Sequence, residues 1–290
     1  MMKIKKNFLI LSIVAVVILS ISGLIAYCYW GLPTRIELKN NSIDENSNHI
    51  ILKNSKLCWD TGANSTAFFK DFGQKKFLLM FSLVFEYGHK IRIQKVKYSN
   101  HIEKDSVILK NIIYLDVDSQ NTAQWIKNEE ISGIVGMNVI SKYNWIVDFD
   151  KNILQNLSKT TTYNHTPQFT LRYSNTMKPK TTISIADVKL KNILIDSGFN
   201  IDFTLLSSDI EKINQRIAPD TICNIISTAL FSDSIVEFKY KYSNIMINNI
   251  RFDTLYIVEG NRRLIGTGFF RKFDRVFWDS GSKEVRFYRD

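Results

Sequence analysis

Two short sequence elements occur twice in this chain, in the same order and at nearly the same spacing. Segment 56–64 reads KLCWDTGAN and segment 192–200 reads NILIDSGFN, so an apolar strand precedes Asp-Thr/Ser-Gly in each. Further along, each half has two apolar residues followed by a glycine, Gly136 in the first and Gly266 in the second. The aspartate-to-glycine separation is 76 residues in the first half and 70 in the second. This recurrence predicts two halves that fold alike.

A duplicated Asp-Thr/Ser-Gly turn has a chemical use that a single copy lacks. Two copies that face each other across a pseudo-two-fold axis place the carboxyl groups of Asp60 and Asp196 a few ångströms apart. Like charges at that distance cannot both ionise, so the pair holds one proton. The ionised member can take a proton from water while the protonated member donates to a carbonyl oxygen. This pattern favours amide hydrolysis with no metal and no cofactor.

The glycines Gly136 and Gly266 are expected in strands close behind the turns, where backbones approach closely.

These motifs resemble those of aspartic peptidases of the pepsin and retropepsin kind, in the two-lobed, single-chain form. The resemblance covers roughly residues 50 to 290 and implies an all-β, two-lobed acid-protease fold with a pseudo-two-fold repeat. It also implies an endopeptidase that acts on a peptide or protein substrate as a monomer, with Asp60 and Asp196 as the catalytic dyad. Four further residues would support the active-site turns, and the two hydroxyls among them would brace one turn against the other: Thr61, Gly62, Ser197 and Gly198.

The family also has a β-hairpin flap that closes over the substrate. Its candidate in the first half is Phe81 to Tyr98, with Tyr87 and Gly88 in the turn. An ordinary exposed hairpin turn is the alternative reading of these residues. A matching hairpin in the second half would turn at 231–233.

Phe199 departs from the family pattern, in which a small or hydroxylated residue normally follows the glycine. It keeps a second class of function open, namely a catalytically inactive module that holds extended peptides by strand pairing. Retention of both aspartates favours the enzyme, because a pure binder has little use for a costly pair of like charges.

The N-terminus combines a basic start with a long uncharged stretch. Lys3, Lys5 and Lys6 precede residues 7–30, whose dense apolar part is long enough to cross a bilayer of about 30 Å. The lysines predict a cytoplasmic tail at 1–6 and an extracytoplasmic folded part, attached to the cell membrane by a single-pass anchor. A cleaved signal peptide, cut before Gly23, is the alternative.

The remaining chain divides into two predicted lobes, residues 31–162 and 163–290, with a boundary in the polar stretch 158–167. The whole chain carries a net charge of +10, but its basic residues are spread along strand-like segments without a nucleic-acid module, so we expect no nucleic-acid partner. Cys58 and Cys223 are interpreted as buried thiols, with a disulfide between them as the alternative.

Local patterns predict mostly strands, among them 90–94, 234–242 and 251–258, because β-branched and aromatic residues alternate or cluster there. Two helices are predicted. One is short, at 66–72. The other opens with a Ser208 to Glu211 capping box and runs to about residue 217.

Overall fold

The structure, a computed structural model, describes residues 14, 16–23, 27, 33–70, 76–85, 91–118, 122, 124–227 and 235–289. Strands dominate the described residues, in agreement with the predicted all-β class. The strands of the first half are β1 (Arg35–Leu38), β2 (Ile51–Leu52), β3 (Leu57–Trp59), β4 (Ala67–Phe68), β5 (Phe77–Phe85), β6 (Ile91–Lys104), β7 (Val107–Asp116), β8 (Gly133–Val135), β9 (Asn144–Asp148) and β10 (Ile153–Leu157).

The second half repeats this series of strands: β11 (Phe169–Arg172), β12 (Lys180–Ile185), β13 (Val188–Ile195), β14 (Phe203–Leu205), β15 (Thr221–Ser227), β16 (Ile235–Ile247), β17 (Ile250–Glu259), β18 (Leu264–Ile265), β19 (Arg275–Asp279) and β20 (Glu284–Tyr288). Short helices lie among the strands: α1 (Gln124–Asn128), α2 (Met137–Ile140), α3 (Ser207–Asn214) and α4 (Thr267–Phe270).

Each half forms its own sheet, and the two sheets have the same strand order. The first sheet runs β2-β3-β8-β4-β7-β6-β5, with β1 paired to β7, and the second runs β12-β13-β18-β14-β17-β16-β15. In both, the strand before the Asp-Thr/Ser-Gly turn pairs in parallel with the strand that leads to the apolar-apolar-Gly glycine. The predicted internal repeat is therefore a repeat of topology as well as of sequence.

A third sheet joins the two halves. Its order is β10-β9-β19-β20-β11, so strands of the first half pair directly with strands of the second. Trp145 on β9 is the Cα partner of Trp278 on β19. The polar stretch 158–167, predicted as the boundary, lies in the connection between β10 and β11.

A cluster of indole rings beneath the two Asp-Thr/Ser-Gly turns links this third sheet to the first. Trp59, at the end of β3, packs against Trp145 at 6.1 Å and against Trp278 at 5.7 Å between ring centroids. All three side chains are fully buried. Aromatic rings prefer such tilted and edge-to-face contacts. Trp59, the residue before Asp60, is therefore held in place by one tryptophan from each half of the chain.

Both predicted hairpins are present as antiparallel pairs. Strands β5 and β6 pair up to Phe85 opposite Ile91, and strands β15 and β16 pair up to Ser227 opposite Ile235. Their turns, including Tyr87, Gly88 and the predicted turn at 231–233, lie outside the described residues.

Three local predictions are wrong. The predicted helix at 66–72 is instead strand β4 over its first residues, because Ala67 and Phe68 pair with β7 and β8 on either side. The second helix, α3, is confirmed, but its N-cap is Leu206 and no capping-box hydrogen bond forms. Cys223 is exposed rather than buried, and both it and the buried Cys58 are free thiols.

Of the predicted anchor, residues 7–30, the structure describes residues 14, 16–23 and 27, and the others lie outside the described residues. Within the described residues, no helix is long and apolar enough to cross a membrane.

Candidate active site

The two Asp-Thr/Ser-Gly turns meet at the interface between the halves. Asp60 follows β3 and donates its backbone N–H to Val135, whereas Asp196 follows β13 and donates to Ile265. Each aspartate is thereby fixed to the strand that leads to Gly136 or Gly266. Both aspartates are partly exposed.

A reciprocal set of four hydrogen bonds locks the turns together. The Thr61 hydroxyl donates to the carbonyl of Ile195 at 2.9 Å, and the Ser197 hydroxyl donates to the carbonyl of Trp59 at 2.8 Å. Each hydroxyl also accepts from the opposite backbone, Thr61 N–H to Ser197 Oγ at 2.9 Å and Ser197 N–H to Thr61 Oγ1 at 3.0 Å. Both side chains have no exposed surface. The predicted bracing of one turn by the other is thus present in the structure.

The glycines of the turns lie against the opposite carboxyl groups. A Cβ atom added to Gly62 would lie 2.2 Å from Cγ of Asp196, and one added to Gly198 would lie 2.5 Å from Cγ of Asp60. Such distances exclude any side chain. Each carboxyl group therefore packs onto the backbone of the other turn, which brings the two carboxyl groups together.

Gly136 and Gly266 are required for close approach of backbones behind the turns. A Cβ on Gly136 would lie 2.6 Å from the backbone carbonyl of Ser65, and one on Gly266 would lie 2.1 Å from the carbonyl oxygen of Ile201. The predicted close approach of backbones is present, but the predicted placement in strands is wrong, because Gly136 and Gly266 follow β8 and β18 as the N-caps of α2 and α4.

The electrostatics of the two carboxyl groups differ. Burial, followed by the negative charge of Asp60, raises the pKa of Asp196 to about 8. Burial also raises the pKa of Asp60, but its Oδ1 accepts hydrogen bonds from the N–H groups of Gly62 and Ala63, which oppose that rise. Within the described part of the chain, Asp196 Oδ1 accepts one backbone hydrogen bond, from the N–H of Gly198. The proton of the pair therefore belongs on Asp196, and the negative charge on Asp60.

Phe199 occupies the same backbone position in the second turn as Ala63 in the first. The Ala63 carbonyl accepts from Met137 N–H at 2.8 Å, and the Phe199 carbonyl accepts from Thr267 N–H at 2.7 Å. This contact is therefore the same in both turns, but the Ala63 N–H donates to Asp60 Oδ1 whereas the Phe199 N–H donates to the backbone carbonyl of Asp196.

Thr267 is a supporting residue that sequence reasoning missed. Its buried hydroxyl donates to the carbonyl of Ser197 at 2.6 Å, which ties the second turn to the start of α4. Its counterpart in the first half is Met137, so the repeat itself gave no signal for this contact. The part of the chain that the structure describes contains no group of three or more His, Cys, Asp or Glu side chains placed to hold a metal ion.

No protein-family model matches this chain, and no curated protein matches it in sequence. Its fold is similar to that of conglutin gamma, a basic 7S globulin from lupine seeds. That match has a TM-score of 0.50 and 8% identity, and it covers 89% of this chain and 96% of conglutin gamma.

Two shorter proteins also match in structure. A retropepsin-like aspartic protease from Rickettsia conorii covers 44% of this chain and 97% of itself, with 13% identity and a TM-score of 0.31. The EIAV protease covers 39% of this chain and 93% of itself, with 14% identity and a TM-score of 0.23. At these identities the likeness concerns the fold alone.

Proposed function

We propose that this chain is an aspartic endopeptidase that hydrolyses peptide bonds with a water molecule activated by Asp60 and Asp196. The observation that supports this most is the reciprocal packing of the two turns, in which each carboxyl group lies on the opposite glycine. A fold that only presented a peptide-binding surface would not need two like charges held against each other at one point.

The mechanism follows from the different environments of the two carboxyl groups. Asp60, as the carboxylate, takes a proton from water while the water oxygen attacks the carbonyl carbon of the substrate. Asp196 gives its proton to the carbonyl oxygen, so a neutral diol forms without a separate oxyanion. Transfer of a proton to the amide nitrogen then allows the C–N bond to break. The four hydrogen bonds between the Thr61 and Ser197 turns fix the positions of both carboxyl groups before the reaction starts. The site is therefore preorganised for these steps.

The two hairpins are proposed as flaps over an extended substrate, and residues 31–162 and 163–290 as the two lobes. Because one chain supplies both aspartates, a monomer is sufficient for activity. Residues 7–30 are proposed as the membrane anchor, with the folded part outside the cytoplasmic membrane.

The test uses the full chain with unfolded protein or mixed peptides as substrate, and cleavage is read by mass spectrometry across pH. We expect activity that falls above about pH 8, as Asp196 loses its proton, and falls again in acid, as Asp60 gains one. A statine-type transition-state mimic should block it, and EDTA should not.

The matched control for the dyad is Asp253→Asn, which changes an exposed aspartate on β17. It should cleave like the unmodified chain, whereas Asp196→Asn should not cleave. Peptide binding without cleavage by the unmodified chain would support the inactive binding module instead, and loss of activity with EDTA would indicate metal chemistry.

A further inference from the structure

His49 is a buried histidine in the first half of the chain. Its exposed fraction is 6%, and its ring stacks on Trp125 of α1 with 4.6 Å between the ring centroids. Its Nδ1 atom lies 3.5 Å from Oε1 of Glu129, which directly follows α1. The imidazole is therefore in contact with an indole ring and with a carboxylate.

Glu129 is the anion that faces this imidazole. Its Oε2 atom accepts from the Ser47 hydroxyl at 2.7 Å, and the Ser47 Oγ atom accepts from the N–H of His49 at 3.0 Å. The contact with His49 is the largest cause that lowers the pKa of Glu129, and burial opposes it. Glu129 is therefore ionised at neutral pH, and its negative charge favours the cationic form of the imidazole.

The pairing of β2 with β3 places His49 beside Asp60. The N–H of Trp59 donates to the carbonyl of Ile50 at 2.8 Å, which continues the antiparallel pairing of the two strands by one residue. The next residue on each side is His49 and Asp60, respectively. Residues at opposite positions of an antiparallel pair have neighbouring side chains.

The packing of the two strands agrees with this placement. Ile51 and Cys58 belong to a small hydrophobic cluster, and Trp125 packs against that cluster. Because side chains alternate along a strand, the residues two positions away, His49 and Asp60, share this face. The stacking of His49 on Trp125 is the contact expected from that side of the strands.

The charges of these residues act on one another. Burial is the main cause that raises the pKa of Asp60, and the positive charge of His49 is among the causes that oppose this rise. Burial also raises the pKa of the Cys58 thiol, and the negative charges of Asp60 and Glu129 raise it further. Asp60, His49 and Glu129 therefore form one electrostatic group at the edge of the site.

Arg271 and Asp44 are further charged groups around this pair. Arg271, which directly follows α4, donates from Nη2 to the backbone carbonyl two residues before His49 at 2.7 Å. Asp44 forms an ion pair with Lys56 at 2.9 Å, and it raises the pKa of Glu129 by less than His49 lowers it. The carboxylate beside the imidazole thus keeps its negative charge.

The second half has an exposed cation at the equivalent position. The N–H of the residue before Asp196 donates to the carbonyl of the residue after Lys178 at 2.8 Å, so Lys178 is the counterpart of His49. Lys178 is exposed, and its charge is therefore screened by water and salt. Arg262 lowers the pKa of Asp196, but burial and the negative charge of Asp60 outweigh it. The buried cation thus belongs to the side of Asp60.

We propose that His49 is a positioning residue for the dyad, because its positive charge, held in place by Glu129, keeps the negative charge of the carboxyl pair on Asp60. This inference rests on the proposed function and names a residue that decides which aspartate takes the proton from water. A cation beside a carboxylate favours the ionised form, so Asp60 stays ionised further into acid than burial alone would allow. Without the cation, Asp60 would gain its proton at higher pH.

The experiment compares the unmodified full chain with His49→Gln and His101→Gln. His101 is the matched control, because its Nε2 atom lies 3.6 Å from Glu103 in a similar pair, but its side chain is 44% exposed. The cleavage rate is measured across pH. In the same chains, labelled with ¹³C at the aspartate Cγ atoms, NMR follows the titration of Asp60 without any need for cleavage. Its signal is the one missing from Asp60→Asn.

We expect His49→Gln to move the acid limb of the rate, and the titration midpoint of Asp60, up by at least about half a pH unit, and His101→Gln to move neither. A limb and a midpoint that stay in place in His49→Gln would overturn the proposal and leave His49 with a structural role. Movement of the same size in His101→Gln would overturn it too.

A second measurement keeps His49 unchanged, so it does not depend on the folding of that variant. His89→Gln, His101→Gln and His165→Gln together leave His49 as the one histidine of the chain. The ¹⁵N shifts of its ring report the charge of the imidazole, which should be cationic at about pH 5. A neutral ring at that pH would contradict the proposal.

The outcome for the proposed function is read separately. If the unmodified chain cleaves no peptide but Asp60 titrates at higher pH in His49→Gln, the proposed function fails and the electrostatic role of His49 stands. If the chain cleaves and neither the acid limb nor the midpoint moves, the role of His49 fails and the proposed function stands.

Discussion

The side chains of Thr61 and Ser197 do the most to join the two turns. Each is fully buried, and each hydroxyl both donates to one carbonyl and accepts from one N–H of the opposite turn. A hydroxyl removed from either side would leave a buried carbonyl and a buried N–H without partners. A buried polar group without a partner lowers the free energy of unfolding by more than the net stabilisation that its hydrogen bond had provided.

Thr61→Val should therefore lower the free energy of unfolding by at least about 2 kcal/mol, because it removes one hydroxyl and leaves two orphaned backbone groups. Denaturant unfolding of the full chain measures this. Thr61→Ser keeps the hydroxyl and should retain most of the stability. The same change at an exposed position, Thr160→Val, should stay within about 0.5 kcal/mol of the original. Equal losses of unfolding free energy for Thr61→Val and Thr160→Val would show that the hydrogen bonds between the turns contribute little to stability.

The raised pKa of Asp196 has a consequence for stability as well as for catalysis. A carboxyl group with an ordinary pKa of 3.8 in the unfolded chain and about 8 in the folded chain binds more protons when folded. Its stabilising contribution is complete below about pH 4 and is lost as the pH rises toward 8.

Asp196→Asn removes this titration, so the difference in unfolding free energy between the variant and the original chain should grow in favour of the variant from pH 4 to pH 8. Denaturant midpoints measured across that range test it. Asp253→Asn is the control and should leave the pH dependence unchanged. A pH-independent difference for Asp196→Asn would mean that Asp196 is ionised in the folded chain throughout.

At the scale of strands and helices, the sequence predicted the elements with strong local patterns. The apolar strand before each turn followed from the repeat, the strand at 90–94 followed from its alternating residues, and the hairpin of β5 and β6 followed from the family resemblance. Strand β4 could not be predicted in this way. Ala67 and Phe68 form a strand only because β7 and β8 lie on either side, and no local pattern records that. The capping box failed because the helix begins at Ser207 with Leu206 as its N-cap, which places Ser208 inside the first turn.

The glycine behind the second turn offers a test of how closely these elements pack. In Gly266→Ala, the new Cβ would meet the carbonyl oxygens of Ile201 and Phe199 at 2.1 and 2.5 Å, and backbone cannot move aside as a side chain can. We expect a loss of about 3 kcal/mol in unfolding free energy.

Gly281→Ala is the matched control for this change, because its nearest atom would be the carbonyl oxygen of Lys159 at 3.2 Å. It should cost less than about 1 kcal/mol. Unaltered stability of Gly266→Ala would mean that the backbone at Gly266 lies farther from Phe199 and Ile201 than these distances give.

At the scale of the whole molecule, the two halves are one unit. They share the sheet formed by β10, β9, β19, β20 and β11, and their turns exchange four hydrogen bonds. The repeat in the sequence predicted two similar halves and the pairing of Asp60 with Asp196. It could not predict the order of strands in the shared sheet, because that order depends on pairings between residues more than a hundred positions apart, such as Trp145 with Trp278.

The most direct test of the account is the rate of peptide cleavage by Asp60→Asn, Asp196→Asn and the double variant, each as the full chain. If one proton is shared by two carboxyl groups in a single chain, either substitution should reduce turnover by at least about a thousandfold. The double variant should then be hardly slower than either single one, because the two groups act as one unit. Near-full cleavage by Asp196→Asn, with none by Asp60→Asn, would contradict the account and indicate a homodimer that pairs two copies of Asp60.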